Sequence, residues 1–336
     1  MDEILNSYYL FGLETLQERL PAVSREVAGV RAAADIEYVH RMRVASRRLR
    51  NALSLFGDDL PHKSYGAWRV EIRRITKALG KARDTDVQIA RVQDFLQHID
   101  EESYRPGLER LLLRLQQQRT RAQKKVCKTL DRLEDKRILE EMYDTLHELL
   151  VHARVYEVET LPADLYHRAN EAIRLRLEEF MAYEAHVAYP ERSTELHQMR
   201  IAAKHLRYTL EVFDPLYDKA LRKPLKVAKE IQELLGEVHD GDVWLEFMPV
   251  FIEEERKRTL DYCGDVGLAQ AFLPGLRALE ENRRDQRMRS YYTFRHFWEL
   301  SKEKEIWEHL REALAPQAEP VLAETEPGPA PDSVTS

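Results

Sequence analysis

The segment HRMRVASRRLRNALSLF, from His40 to Phe56, returns 157 positions later as HQMRIAAKHLRYTLEVF, from His197 to Phe213. Eight of its seventeen residues are identical, and most of the others are conservative, such as Val44 for Ile201 and Arg47 for Lys204. Two further matches follow in the same order. RRITKALGKARDTDV (73–87) pairs with KEIQELLGEVHDGDV (229–243), keeping Ile, Leu-Gly and Asp-x-Asp-Val. PGLERLLLRLQQQRTR (106–121) pairs more weakly with PGLRALEENRRDQRMR (274–289), keeping Pro-Gly-Leu, Leu111/Leu279, Gln118/Gln286, Arg119/Arg287 and Arg121/Arg289. Ordered matches at so long and slowly drifting a spacing indicate a domain-sized unit used twice, not a solenoid of short repeats.

Each unit reads as helical. Glycine is scarce, with 12 in 336 residues, and little of the chain alternates like a half-buried strand. The expected fold class is all-α: two four-helix bundles from an internal duplication. In the first copy the pattern predicts helices over 5–33, 37–57, 63–81 and 106–150, with a shorter one over 86–99. The second copy repeats this from about 164. Gly80 and Gly236 suit helix C-termini, and Asp86 and Asp242 suit caps of the helices that follow. Pro162 in VETLPADLYH marks the junction, giving bundles over 1–158 and 159–314. Residues 315–336, rich in Pro, Glu and Ala, read as a disordered tail.

The repeated segment divides by helical angle. His40, Arg43, Arg47 and Arg50 fall within an arc of roughly 80°, while Met42, Leu49, Leu53 and Phe56 fall on another face. His197, Arg200, Lys204 and Arg207 separate in the same way from Met199, Leu206, Leu210 and Phe213. Each basic stripe is about 15 Å long at ~1.5 Å per residue. It contains no carboxylate, so its like charges repel without compensation. The next helix adds a row of Arg69, Arg73 and Lys77 in the first copy and Arg222, Lys226 and Lys229 in the second. Arg119, Arg283 and Arg287 are candidates to join from another helix. The net charge is −7, so an anion site must be a local concentration of cations on an acidic molecule.

Repeated rows of Arg and Lys suit a ligand with repeated negative charge, since Arg forks onto phosphate oxygens and Lys offers a compact charge. The candidates are inorganic polyphosphate, nucleic acid and an acidic protein segment. Nucleic acid is disfavoured, because the stripes carry almost no aromatics for base stacking and Tyr208 lies off the stripe. Beside phosphates a histidine should gain protons more readily, so affinity is expected to rise as pH falls through about 7.

HDGD (239–242) raises metal-dependent phosphohydrolysis, but the residue matching His239 is Arg83, which cannot ligate a metal. Asp84 and Asp240 are expected to orient or partly neutralise nearby cations, or to cap the following helix. No phosphate-cradling loop, nucleophile elbow or Cys-His pattern occurs. The expectation is a binding protein and not an enzyme, with no cofactor. The alternatives are a metal-dependent polyphosphate-processing enzyme and a module for nucleic acid or acidic proteins. Cys127 and Cys263 suggest reduced thiols. With no signal peptide or run of ~18 apolar residues, no membrane association and a cytoplasmic location are expected.

VHRMRVASRRLR with LGKARDTDV, and LHQMRIAAKHLR with LGEVHDGDV, resemble the signatures of the CHAD domain (conserved histidine α-helical domain) over about residues 5–312. The resemblance implies two pseudo-symmetric four-helix bundles that bind inorganic polyphosphate in a central groove, with polyphosphate granules as a place of association. It implies His40, Arg43, Arg47, Arg50, His197, Arg200, Lys204 and Arg207 as ligand contacts. Family members are often fused to a triphosphate tunnel enzyme. Here EVETL (157–161) has Leu161 where that enzyme's Glu-x-Glu-x-Lys motif needs lysine, so the chain resembles a stand-alone form. His239 replaces the usual Arg, and Glu230, Glu233 and Glu237 weigh against equal contributions from the two halves.

Overall fold

The computed structural model describes residues 7–33, 35–155 and 162–315. Every regular element among them is helical. In chain order these are α1 (Ser7–Ser24), α2 (Val27–Ala32), α3 (Ile36–Phe56), α4 (His62–Gln97), α5 (Arg105–Asp135), α6 (Ile138–Val155), α7 (Pro162–Met181), α8 (Ser193–Phe213), α9 (Arg222–Cys263), α10 (Leu273–Glu303) and α11 (Ile306–Ala313). The sequence matches set α3 against α8, α4 against α9 and α5 against α10. The EVETL segment and the expected tail beyond residue 315 lie outside the described residues.

Both repeated segments form helices of 21 residues with their apolar face buried. Met42, Leu49 and Leu53 are fully buried, as are Met199, Leu206 and Leu210. Asp35 starts α3 by accepting a hydrogen bond from the Glu37 amide at 2.9 Å. The last residue of each segment reaches the other half. Phe56 and Phe213 meet edge to face at 6.2 Å, and Phe11 of α1 stacks on Phe213 at 5.9 Å. The main apolar core is therefore continuous through both copies. A smaller core gathers Val92 of α4, Leu108 and Leu111 of α5, Trp244 and Met248 of α9, and Leu276 and Leu279 of α10.

Four local expectations are corrected. The break between residues 81 and 86 is absent: α4 runs unbroken for 36 residues, and α9 runs for 42. Gly80 and Gly236 lie inside these helices, where the cost of about 1 kcal/mol for a helical glycine is outweighed by buried residues on both sides. Asp86 and Asp242 accordingly cap nothing; they are interior residues that pair with arginines. Finally, 106–150 is two helices, because Arg137 takes a left-handed backbone with φ of 49°. Glu305 does the same between α10 and α11, with φ of 51°. These positions are 168 apart, the offset of the third sequence match.

That third match has a structural reason. A Cβ added to Gly107 would lie 2.0 Å from the Phe272 carbonyl oxygen, and one added to Gly275 would lie 1.9 Å from the Tyr104 carbonyl oxygen. The first turns of α5 and α10 thus press on each other reciprocally, and only glycine permits the approach.

Buried carboxylates anchor the long helices. Glu71 of α4, 2% exposed, binds Arg74, Arg132 and Lys136. Burial alone would raise its pKa, but hydrogen bonds from Arg132, Lys136 and Arg74 overcome this and hold it at about 2.

Candidate anion-binding site

Helices α3 and α8 are in contact, and cations from both copies come together between them. Arg47 of α3 and Arg207 of α8 lie over the ring of Tyr208, at 5.7 and 4.9 Å from its centroid. Arg47, Arg50, Lys204 and Tyr208 line one hollow of about 200 Å³ with Asn51, Ser54, Arg176 and His205. Tyr208 is therefore central to the cluster and not off it. Being 5% exposed, it serves as a cation-π support between the two stripes.

The electrostatics show how closely the charges are gathered. Burial lowers Lys204 to about 7, assisted by Arg47, Arg200, Arg50 and Arg43, three of them from the other copy. Arg47 falls to about 10 through burial and then through Arg43, Arg200 and Arg207. Burial also lowers Arg200, with Arg43 adding to it, and lowers Arg50, with Arg73 adding to it. A cation that loses affinity for its proton beside other cations is one that an anion would stabilise.

Few carboxylates relieve this repulsion. Asp84 of α4 stands 3.8 Å from Arg43. Glu211 bridges Arg48 of α3 at 3.0 Å and Arg207 of α8 at 2.9 Å. Asp240 is drawn to Arg91 at 3.0 Å. Burial raises both aspartates although water reaches 70% of the Asp84 side chain and 41% of that of Asp240. They are wet on one side and crowded by protein on the other. Asp84 and Asp240 thus partly neutralise cations, as their place in the sequence suggested.

His40 and His197 occupy matching positions, half-buried, and the Nδ1 of each is buried without a protein partner. Burial lowers both, followed by Arg83 for His40 and by Arg200 and Lys204 for His197. The His239 ring sits 3.9 Å from that of His197 and is lowered to about 4 by burial and by Arg200. In the free protein these rings are neutral at pH 7. Lys204 titrates near neutrality, so it is a second source of pH dependence beside the histidines. No group of three His, Cys, Asp or Glu side chains among the described residues could hold a metal.

The other predicted site residues are distributed differently. Arg73 is exposed and faces Arg50 closely enough to lower it. Arg69, Lys77, Arg222 and Lys226 are exposed. Arg69 lies 6.0 Å from the Tyr65 ring, while Lys226 lines a separate apolar hollow with Phe297 and Leu300 of α10. Lys229 leans on Glu233 at 3.8 Å. Arg119 and Arg287, kept in both copies, are committed elsewhere. Arg119 donates to Asp86 at 2.6 Å, and Arg287 donates to Asp242 at 2.8 Å and to the Pro190 carbonyl at 2.6 Å. These are two copies of one structural ion pair, each joining the third matched segment to the second. Arg283 is also buried and stands apart from the α3–α8 cluster, beside Arg91 and Glu237. Sequence reasoning missed Arg176 of α7, whose helix carries none of the three matches, and Arg83, which matches His239.

The family profile of the CHAD domain matches residues 14–249. The chain belongs to the CHAD domain family. That family is linked in general to polyphosphate binding. Among solved structures, the CHAD domain from the plant Ricinus communis is similar, with 23% identity and a TM-score of 0.57 over 84% of this chain and 92% of that one. PptA from Streptomyces chartreusis is similar at 18% identity, with a TM-score of 0.53 over 87% of this chain and 98% of that one. At these identities the likeness speaks for the fold. No curated protein matches the chain. None of its helices is long and apolar enough to cross a membrane, among the described residues.

Proposed function

We propose that this CHAD domain protein binds inorganic polyphosphate without transforming it, in a groove whose two sides are the basic faces of α3 and α8. The observation that carries this reading is the environment of Lys204, where burial and Arg43, Arg47, Arg50 and Arg200 together push the ammonium down to about 7. A single phosphate ester needs two or three cations. This cluster draws on both copies and spans successive turns of two helices, which suits a linear chain of charge. Arg43, Arg47, Arg50, Arg200, Lys204 and Arg207 are the proposed contacts, with His40 and His197 at the outer ends of the stripes. Binding proceeds by charge pairing and counterion release, so affinity falls steeply with salt, by analogy with nucleic-acid binding.

The test is affinity for size-defined polyphosphates by isothermal titration calorimetry at fixed ionic strength. Affinity should rise with chain length and level off once the groove is filled. The double variant Arg43→Glu/Arg200→Glu should lose at least a hundredfold, since each reversal replaces an attraction of 1.5–3 kcal/mol by a repulsion. Unchanged affinity would remove the site assignment. Shortening of the polyphosphate during incubation with Mg²⁺ would overturn the non-catalytic reading.

A further inference from the structure

A second cationic hollow lies where α4, α5 and the C-terminal half of α9 meet. Its volume is about 460 Å³, within the range of small-molecule sites. Lys81, Arg114, Arg121, Lys125 and Arg258 line it. Arg114 and Arg258 hold the buried Glu255, at 2.8 Å in the case of Arg114, and Arg258 also reaches Glu254 at 2.8 Å. Lys81, Arg121 and Lys125 are exposed and pair with no carboxylate among the described residues. Five cations against Glu254 and Glu255 leave three positive charges in surplus.

The hollow is also aromatic on one side. Phe247 and Phe251 form one wall, with ring centroids 5.5 Å apart, and Phe247 is only half-buried. Gln117 and Gln118 bring side-chain amides to the same cavity. The duplicated sequence shows that this composition is particular to one copy. Lys81 is matched by Glu237, and Phe247 by Arg91. At that counterpart junction Arg91 binds Glu237 at 2.9 Å and Asp240 at 3.0 Å. An ion pair closes one junction; the other stays open, cationic and aromatic.

We propose that this hollow binds a nucleoside triphosphate. The surplus charge and unpaired cations suit the phosphates. The Phe247 ring offers a stacking face for the base, and the glutamine amides can donate to or accept from base edges. A ligand made only of phosphates has no use for the stacking face.

ATP titrated calorimetrically into the full chain in Mg²⁺-free buffer at fixed ionic strength tests this, with inorganic tripolyphosphate as the comparison. One ATP per chain is expected. Lys81→Glu/Arg121→Glu should weaken ATP at least tenfold and leave long-chain polyphosphate affinity unchanged. Phe247→Leu keeps apolar volume but removes the ring; it should weaken ATP about fivefold or more and spare tripolyphosphate. Arg43→Glu/Arg200→Glu should leave ATP binding intact, which separates this proposal from the polyphosphate reading. Absence of ATP binding at millimolar concentration would overturn it. So would loss of ATP binding in Arg43→Glu/Arg200→Glu but not in Lys81→Glu/Arg121→Glu. Equal affinity for ATP and tripolyphosphate with no effect of Phe247→Leu would overturn recognition of the nucleoside.

Discussion

Lys204 turns anion binding into a proton measurement. Its ammonium is held at about 7 by burial and four arginines, against an ordinary value of 10.5. A polyphosphate laid along the stripe supplies the missing negative charge and returns it toward its ordinary range. At pH 8.5 the free protein carries this proton in only about 3% of molecules, so binding takes up close to one proton per chain. The apparent dissociation constant should then rise roughly fifteenfold between pH 7 and pH 8.5, because the free state must be protonated before it binds well. Calorimetry at pH 8.5 in two buffers of different ionisation enthalpy reads the proton count directly. Lys204→Arg should lower the uptake at pH 8.5 by close to one proton and flatten the slope above pH 7, since arginine keeps its proton throughout. The same group acts on stability. Its folded value lies below its unfolded one, so its cost is fully present below about 7 and is relieved as pH rises toward 10.5. A pH-independent affinity, or a slope above pH 7 that is unchanged in Lys204→Arg, would refute the argument.

Other perturbations separate support from contact. Arg119→Ala breaks the bond to Asp86 and should cost about 3 kcal/mol in urea unfolding while polyphosphate affinity changes less than about threefold. Glu71→Gln removes a carboxylate held near 2 against an ordinary 4.5; the full shift corresponds to ~3 kcal/mol, and the half-exposed cations around it reduce this to about 2. That contribution is present above about 4.5 and is lost as pH falls toward 2, so wild type and Glu71→Gln should converge in thermal melts at the acid end. Phe56→Ala empties the aromatic contact between the halves and should cost about 3–5 kcal/mol by chemical denaturation, in a single transition because the core is continuous.

The helical period made the two faces of α3 and α8 readable, since a face sorted by 100° steps depends on local geometry alone. What joins one helix to another was harder to read. Arg119 and Arg287 recur because Asp86 and Asp242 recur with them, and a repeated residue does not say whether its partner is a ligand or another helix. The retained pair of opposite charges was the available sign. Gly80 and Gly236 suggested helix ends, yet packing carries α4 and α9 straight through them. The true breaks fall at Arg137 and Glu305, residue types with no preference for a left-handed backbone, so nothing local announced them. Tyr208 was assigned to the wrong place although 100° steps set it about 40° from Lys204, at the edge of the stripe, where Arg207 and Arg47 both cover its ring.

The reciprocal approach of Gly107 to the Phe272 carbonyl and of Gly275 to the Tyr104 carbonyl has a consequence for how this chain may be divided. It is the contact of a symmetric dimer, in which each member offers the same patch it receives. Here both members lie on one polypeptide, so their stoichiometry is fixed and dilution cannot part them. A half-length chain would carry one glycine facing water, together with half of the Phe56–Phe213 contact. The surface it most needs to cover is one that a second copy of itself could supply.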